Sequence, residues 1–206
     1  MPCPRFVQFA FALGLAATVA APAAAEWSEV RNEEGITVEQ ENAPGRILPV
    51  LRATTDIAAE PAAVLAWITD ATTFTRWMHN TEEAKHLKED GEVTFAYTRV
   101  GAPWPVSDRD AVVRSTRSTP EGGHRVVFES TDELGLAEKS GVVRMPRIEG
   151  SWSLAPNDAG GTRVVYQVDS NPGGSLPGWL VAQVANDMPY QTLFKLRNLV
   201  ESGASR

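Results

Sequence analysis

The run Ala102-Pro103-Trp104-Pro105-Val106-Ser107-Asp108-Arg109-Asp110 constrains this chain more than any other stretch. Prolines on both sides of Trp104 hold the backbone extended and withhold N–H groups that a sheet needs. Ser107 and Asp108 then favour a turn, because their short side chains bond neighbouring backbone groups. Strand-like sequence lies on both sides, Glu92–Val100 before and Arg109–Arg117 after. A strand must therefore stop, pass through a stiff loop that carries a large apolar ring, and begin again. Trp104 is either a plug over the end of the core or a gate beside a cavity.

Around this loop the chain reads as hairpins with helices at both ends. Trp27–Gln40 and Arg46–Asp56 alternate as strands, with Asn42-Ala43-Pro44-Gly45 as the turn between them. Pro61 sits where its missing N–H costs a helix nothing, and Val64, Leu65, Trp67 and Ile68 follow at helical spacing. Asp70–Met78 is a second short helix that brings Trp77 and Met78 into the core. Strands resume over Thr81–Lys88 and Glu92–Val100. Arg109–Thr119 with His124–Thr131 forms a hairpin, and Lys139–Ala155 with Thr162–Ser170 another. Pro146 implies a bulge or an unpaired edge position in the long strand. The Thr131–Lys139 connection, with Leu134 and Leu136 between charges, is a candidate rim loop.

The closing helix is expected over Ser175–Glu201, with Ser175 as N-cap and Pro177 in the first turn. Val181, Val184, Ala185, Met188, Leu193, Leu196, Leu199 and Val200 form its apolar face, and Pro189 should kink it. Trp179 and Leu180 lie outside that stripe, either covering the sheet end or forming part of a lid.

Within Glu92–Val100, Val93, Phe95, Tyr97 and Arg99 share one face, and Glu92, Thr94, Ala96 and Thr98 share the other. An arginine in register with three apolar residues is costly to bury unless it is paired. Either the sheet edge lifts Arg99 into water, or Arg99 projects into a cavity and meets a ligand's polar end or an internal carboxylate.

Met1–Ala25 reads as a secretory leader: Arg5, an apolar run from Phe6 to Ala20, and Ala23-Ala24-Ala25 ahead of Glu26. Cys3, the one cysteine, falls inside it, so the exported chain has no thiol chemistry and rests on its core alone. The leader holds one of the 19 basic residues and none of the 26 acidic ones, which leaves a net charge of −8. That balance argues against a nucleic-acid partner and against charge-driven docking on anionic lipid. Residues 26–206 have the length of one domain.

Catalytic motifs are not found. Gly174-Ser175-Leu176-Pro177 breaks the G-x-S-x-G pattern at its last position. His79, His86 and His124 have no zinc-site spacing, and no cofactor loop occurs. Asp108 and Asp110 are expected to face opposite ways and to bond backbone or Arg109. No catalytic residue, metal site or cofactor is expected.

Three runs, in order, resemble the START domains, the StAR-related lipid-transfer family: the W-P-x-S-x-R-D run at Trp104–Asp110, Arg147–Pro156 with its E-G-S-W, and Asn171–Val181. The resemblance they carry covers roughly Trp27–Val200. The resemblance implies an α+β helix-grip fold, a curved antiparallel sheet wrapped around a long C-terminal helix with an internal hydrophobic cavity. It implies a hydrophobic ligand, carried by a monomer that can touch a membrane transiently; the leader, once cleaved, puts that carrier in the periplasm or outside the cell. Phe95, Tyr97, Arg99 and Phe128 become cavity candidates on the sheet. Trp104, Trp179, Leu180, Val184 and Met188 become candidates at the opening and on the helix. Sterol-handling members resemble one another in an inward acid–arginine pair, for which Tyr97 or Arg99 and Ser115 or Arg117 are the positions here, none of them acidic. Phospholipid, fatty acid, hopanoid and polyketide ligands therefore stay open. An enzyme of the wider helix-grip group, a cyclase or hydrolase, is the alternative. An enzyme should show a polar dyad inside, and a carrier one anchoring group between apolar walls.

Overall fold

The computed structural model describes residues 26–42 and 44–206; the expected leader and Ala43 of the expected turn lie outside them. The chain opens with a hairpin of β1 (Ser28–Glu33) and β2 (Ile36–Glu41). Glu34 and Gly35 join them, both at positive φ, the conformation that matches a tight turn to the strand twist. The single strand expected over Trp27–Gln40 is thus two strands. A two-residue turn interrupts the alternation too briefly to register in it. Strand β3 (Val50–Ile57) starts just past Pro49.

Helix α1 (Pro61–Ile68) opens at the expected proline. One 3-10 turn (Ala71–Thr73) follows, started by Asp70, whose carboxylate accepts from the Thr72 N–H. It leads into α2 (Phe74–Trp77), which drives Trp77 into the core at 1% exposure.

The remaining strands are β4 (Thr81–Asp90), β5 (Val93–Val100), β6 (Asp108–Ser118), β7 (His124–Ser130), β8 (Val142–Arg144), β9 (Arg147–Pro156) and β10 (Thr162–Asn171). The described residues form one sheet in the order β1-β2-β3-β10-β9-β7-β6-β5-β4, antiparallel throughout that path. Pro146 splits the long strand expected from Lys139. Strand β8 pairs parallel with β6, whereas β9 pairs with β7 and β10. A Cβ at Gly150 would overlap the Gln167 carbonyl and the Phe128 ring, so glycine there lets that ring lie against β9.

Helix α3 (Gly178–Glu201) begins three residues later than the expected Ser175 cap, after Pro177 in extended conformation. It packs on β1, β2 and β3 and on α1 and α2, so the sheet curves around it. Leu193 and Leu196 are fully buried there, against a core that includes Ile36, Leu51 and Val64. This is the α+β helix-grip arrangement. No helix among the described residues is long and apolar enough to cross a membrane.

Candidate ligand-binding site

Two adjoining pockets lie between the sheet and the helices. The inner one, about 70 Å³, has an aromatic wall. Phe74 meets Trp77 edge-on at 5.3 Å, Trp77 meets Trp152 edge-on at 5.7 Å, and Trp152 stacks on Tyr166 at 4.1 Å. Phe128 continues the row against Tyr166. Opposite this wall stand small side chains, Thr94, Ala96 and Thr98 of β5 with Val113 and Ser115 of β6. They are adjacent by register: Thr94 faces Ser115, and Ala96 faces Val113.

The outer pocket is about 170 Å³. Leu180, Val184, Met188 and Thr192 of α3 line one side at four-residue intervals, the stripe a helix presents to a single neighbour, and Leu176 joins them from the segment ahead of the helix. Gly101, Ala102 and Pro103 of the W-P loop lie on its rim. Met78, Ile148 and Tyr166 border both pockets and form the partition between them. Burial pushes the Tyr166 phenol well above its ordinary range.

The expected inward face of β5 is corrected. Thr94, Ala96 and Thr98 look into the pocket, so Phe95, Tyr97 and Arg99 point to the other side of the sheet. There the Lys139 ammonium lies 4.3 Å over the Tyr97 ring, and Arg99 meets Asp108 at 2.9 Å, Glu82 at 3.4 Å and Glu83 at 3.5 Å. Arg99 is therefore part of an outward ion cluster and cannot reach a ligand inside. Alternation had divided the strand correctly but could not say which half faces the helix, because both faces of β5 are covered. The Thr131–Lys139 connection belongs to this outer side as well: Lys139 bridges to Glu83, and the Leu136 carbonyl accepts from Arg144.

Asp108 and Asp110 also face outward, both of them. Asp108 accepts from Arg99 and from the Ala102 N–H, and Asp110, 1% exposed, is held by Arg144 at 2.7 Å. Two residues apart on a strand they share a face, contrary to the expectation that they oppose. Arg109 between them points the other way, into the outer pocket.

Arg109 is the residue that sequence reasoning undervalued. It is 8% exposed and donates from Nε to the Pro172 carbonyl at 3.4 Å and from Nη1 to the Ser107 carbonyl. Burial lowers its pKa, while the neighbouring Asp108 acts in the opposite sense; a guanidinium stays charged nonetheless. The Pro172 carbonyl is placed by a tight turn in which the Gly173 N–H donates to the Asn171 side chain and Gly173 holds φ +68°. A usable signal existed: the outward bonding of one aspartate on β6 fixes the parity of the whole strand.

Of the remaining candidates, Phe128 lines the inner pocket, and Leu180, Val184 and Met188 line the outer one. Leu180 is buried and belongs to the stripe it was thought to miss. Trp104 and Trp179 lie outside both linings, 90% and 54% exposed, on the segments that rim the outer pocket. His79 also borders that pocket. Its backbone N–H donates to Thr192, its Nδ1 is buried without a partner among the described residues, and burial, then Lys195, depresses its pKa against the pull of Asp187.

The family model for the START domain matches residues 15–202. An uncharacterized protein of Pseudomonas aeruginosa is 35% identical over 178 residues, which span 86% of this chain and 88% of that one. A solved STAR-related lipid transfer protein fragment from Xanthomonas axonopodis superposes with a TM-score of 0.77 at 34% identity, covering 84% of this chain and 98% of its own. The phosphatidylcholine transfer protein of Mus musculus is 32% identical over 104 residues, and the match spans about half of each chain, 48% here and 49% there. With the helix-grip sheet, the W-P loop at a pocket rim and the family match over nearly the whole length, the chain belongs to the START domain family.

Proposed function

We propose that the space between the sheet and α3 takes the apolar body of a lipid, and that the protein carries that lipid through water. One observation bears most of the weight: the inward side chains of β5 and β6 are small where an ordinary core would be filled. Thr94, Ala96, Thr98 and Ser115 leave open volume against an aromatic wall, and α3 lines the adjoining outer pocket with an aliphatic stripe. A cavity of about 150 Å³ lined by apolar groups is already enough for a benzene-sized guest. A whole acyl chain needs both pockets joined. Met78, unbranched and flexible, sits in the partition as the natural moving part.

The energetic need is large. A chain of roughly sixteen methylenes loses about 13 kcal/mol on entering water. Relatives named for lipid transfer and for phosphatidylcholine transfer support a carrier. So does the lining, in which Arg109 is the one full charge among apolar and hydroxyl groups, two amides (Asn80 and Gln183) and two imidazoles on different pockets (His86 inner, His79 outer), and no carboxylate among the described lining residues stands beside either imidazole as a dyad partner. The inward positions on β5 are neutral, which favours a ligand other than a sterol. Trp104 and Trp179, exposed on the rim, suit the membrane interface, where tryptophan rings settle. With a net charge of −8 after leader removal, docking would rest on those rings rather than on charge. Export follows from Ala23-Ala24-Ala25, and intact mass should show a chain beginning at Glu26.

The test is transfer of a fluorescent phospholipid between vesicles. The protein should speed it in proportion to its concentration. Trp104→Ala with Trp179→Ala should slow transfer while leaving equilibrium binding unchanged. No acceleration by a folded protein, with no lipid retained, would sink the carrier reading.

A further inference from the structure

Resting on that reading, we infer that Arg109 anchors an anionic oxygen head group, carboxylate or phosphate, of the bound amphiphile. Three placements meet at this residue. First, strand parity turns Asp108 and Asp110 outward, where Arg99 and Arg144 hold them, so neither carboxylate reaches the pocket side. Second, Arg109 is more than nine-tenths buried and has no carboxylate partner among the described residues. Its two protein bonds run to the uncharged carbonyls of Ser107 and Pro172. Third, it borders the outer pocket beside the W-P loop and the turn before α3, the end at which an incoming amphiphile would leave its head.

A guanidinium has five N–H donors in a fixed fork, and two are engaged here. The rest suit paired oxygens, which a planar fork grips better than an ammonium does. Bridging two carbonyls needs donors but no net charge. Burying the charge as well is costly unless an anion completes the site. The two carbonyls come from the two segments at the rim, so an anion on Arg109 would also draw the loop and the helix entry together around the head group.

The test compares three probes with the same palmitoyl chain: palmitate, its uncharged methyl ester, and palmitoyl lysophosphatidate. Inorganic phosphate alone is the fourth arm. Calorimetric titration should show the anionic lipids binding about ten- to a hundredfold more tightly than the ester, the range of one charge-assisted bond. Arg109→Gln should bring both down to the ester's level and leave the ester unchanged, and Arg109→Lys should fall between. Whichever anionic lipid binds more tightly identifies the head group. Equal binding of all three probes would overturn the assignment, as would a folded Arg109→Gln that keeps the preference. Phosphate binding as tightly as lysophosphatidate would make this a free-anion site and overturn it too. If no probe binds, including the ester, the carrier reading falls and takes the anchor with it. A variant-free check is the carboxyl carbon-13 resonance of bound palmitate. An anchored carboxylate stays ionised to lower pH than the free acid, whereas burial alone raises its pKa, and the second result would contradict the assignment.

Discussion

Strands β5 and β6 have two faces that obey opposite rules. On the outer face large groups fill the space and every charge has a partner: Phe95 and Tyr97 are 4% and 1% exposed, Arg99 meets Asp108, Glu82 and Glu83, and Asp110 meets Arg144. On the inner face the pocket-lining residues are mostly small or hydroxylated, and the one charge that lines a pocket, Arg109, meets only backbone carbonyls, whereas Arg117 at the far end of β6 pairs with Glu89 and Glu92. The first face behaves as a packed protein interior. The second behaves as a receptacle. On the proposed carrier reading, the functional side of a strand is marked by what is too small to fill it, and the bulky face is the structural one.

The contrast can be broken from the outside first. Phe95→Ala should cost about 3–5 kcal/mol in denaturant unfolding, as expected for a buried ring, and should leave lipid binding intact. A stable Phe95→Ala that loses binding would reverse the assignment of faces. Next in size is Asp110→Asn, which strands Arg144. A loss of about 1.5–3 kcal/mol is expected, again with binding unchanged. Arg99→Leu should matter less than either. Its ion pairs are partly solvated, so a change under about 1 kcal/mol is expected, and ligand affinity should not move.

The smallest effect concerns His79 on the pocket side. Its folded pKa lies below the ordinary value, so below about pH 6.5 the unfolded chain takes up the proton more readily than the folded one. Stability should therefore fall as pH drops from about 6.5 toward the depressed folded value, and should be fully present above that window. Replacing His79 with Gln should flatten this part of the stability profile. An unchanged slope in His79→Gln would show that the burial of His79 does not contribute to it.

Much of this architecture was legible in the sequence, and the exceptions are instructive. Pro61 placed α1, and the prolines around Trp104 placed the break between β5 and β6. The Glu34-Gly35 turn was hidden because a glutamate occupies one of its positive-φ positions, so only one glycine marks the reversal. Ser175 looked like a cap, but Gly173 and Gly174 hold the chain in a turn that postpones α3 to Gly178. Period-two alternation sorted β5 into the correct halves yet left their direction open, since a sheet covered on both sides buries apolar residues on both. Arg109 escaped notice for a related reason: flanked by two aspartates in sequence, it looks neutralised, and only the strand's parity separates the three charges in space.

The most direct test of the account is to fill the receptacle. Ala96 faces the inner pocket from the middle of β5, opposite Val113, and a phenyl ring there would occupy space that is now open. Wild type and Ala96→Phe would be purified alike from the native host, extracted with organic solvent, and the extracts analysed by mass spectrometry. The account predicts a stoichiometric amphiphile in the wild-type extract and little or none in the extract of a folded Ala96→Phe. An equal amount in both, or none in either with no uptake by the wild-type protein from vesicles, would contradict it.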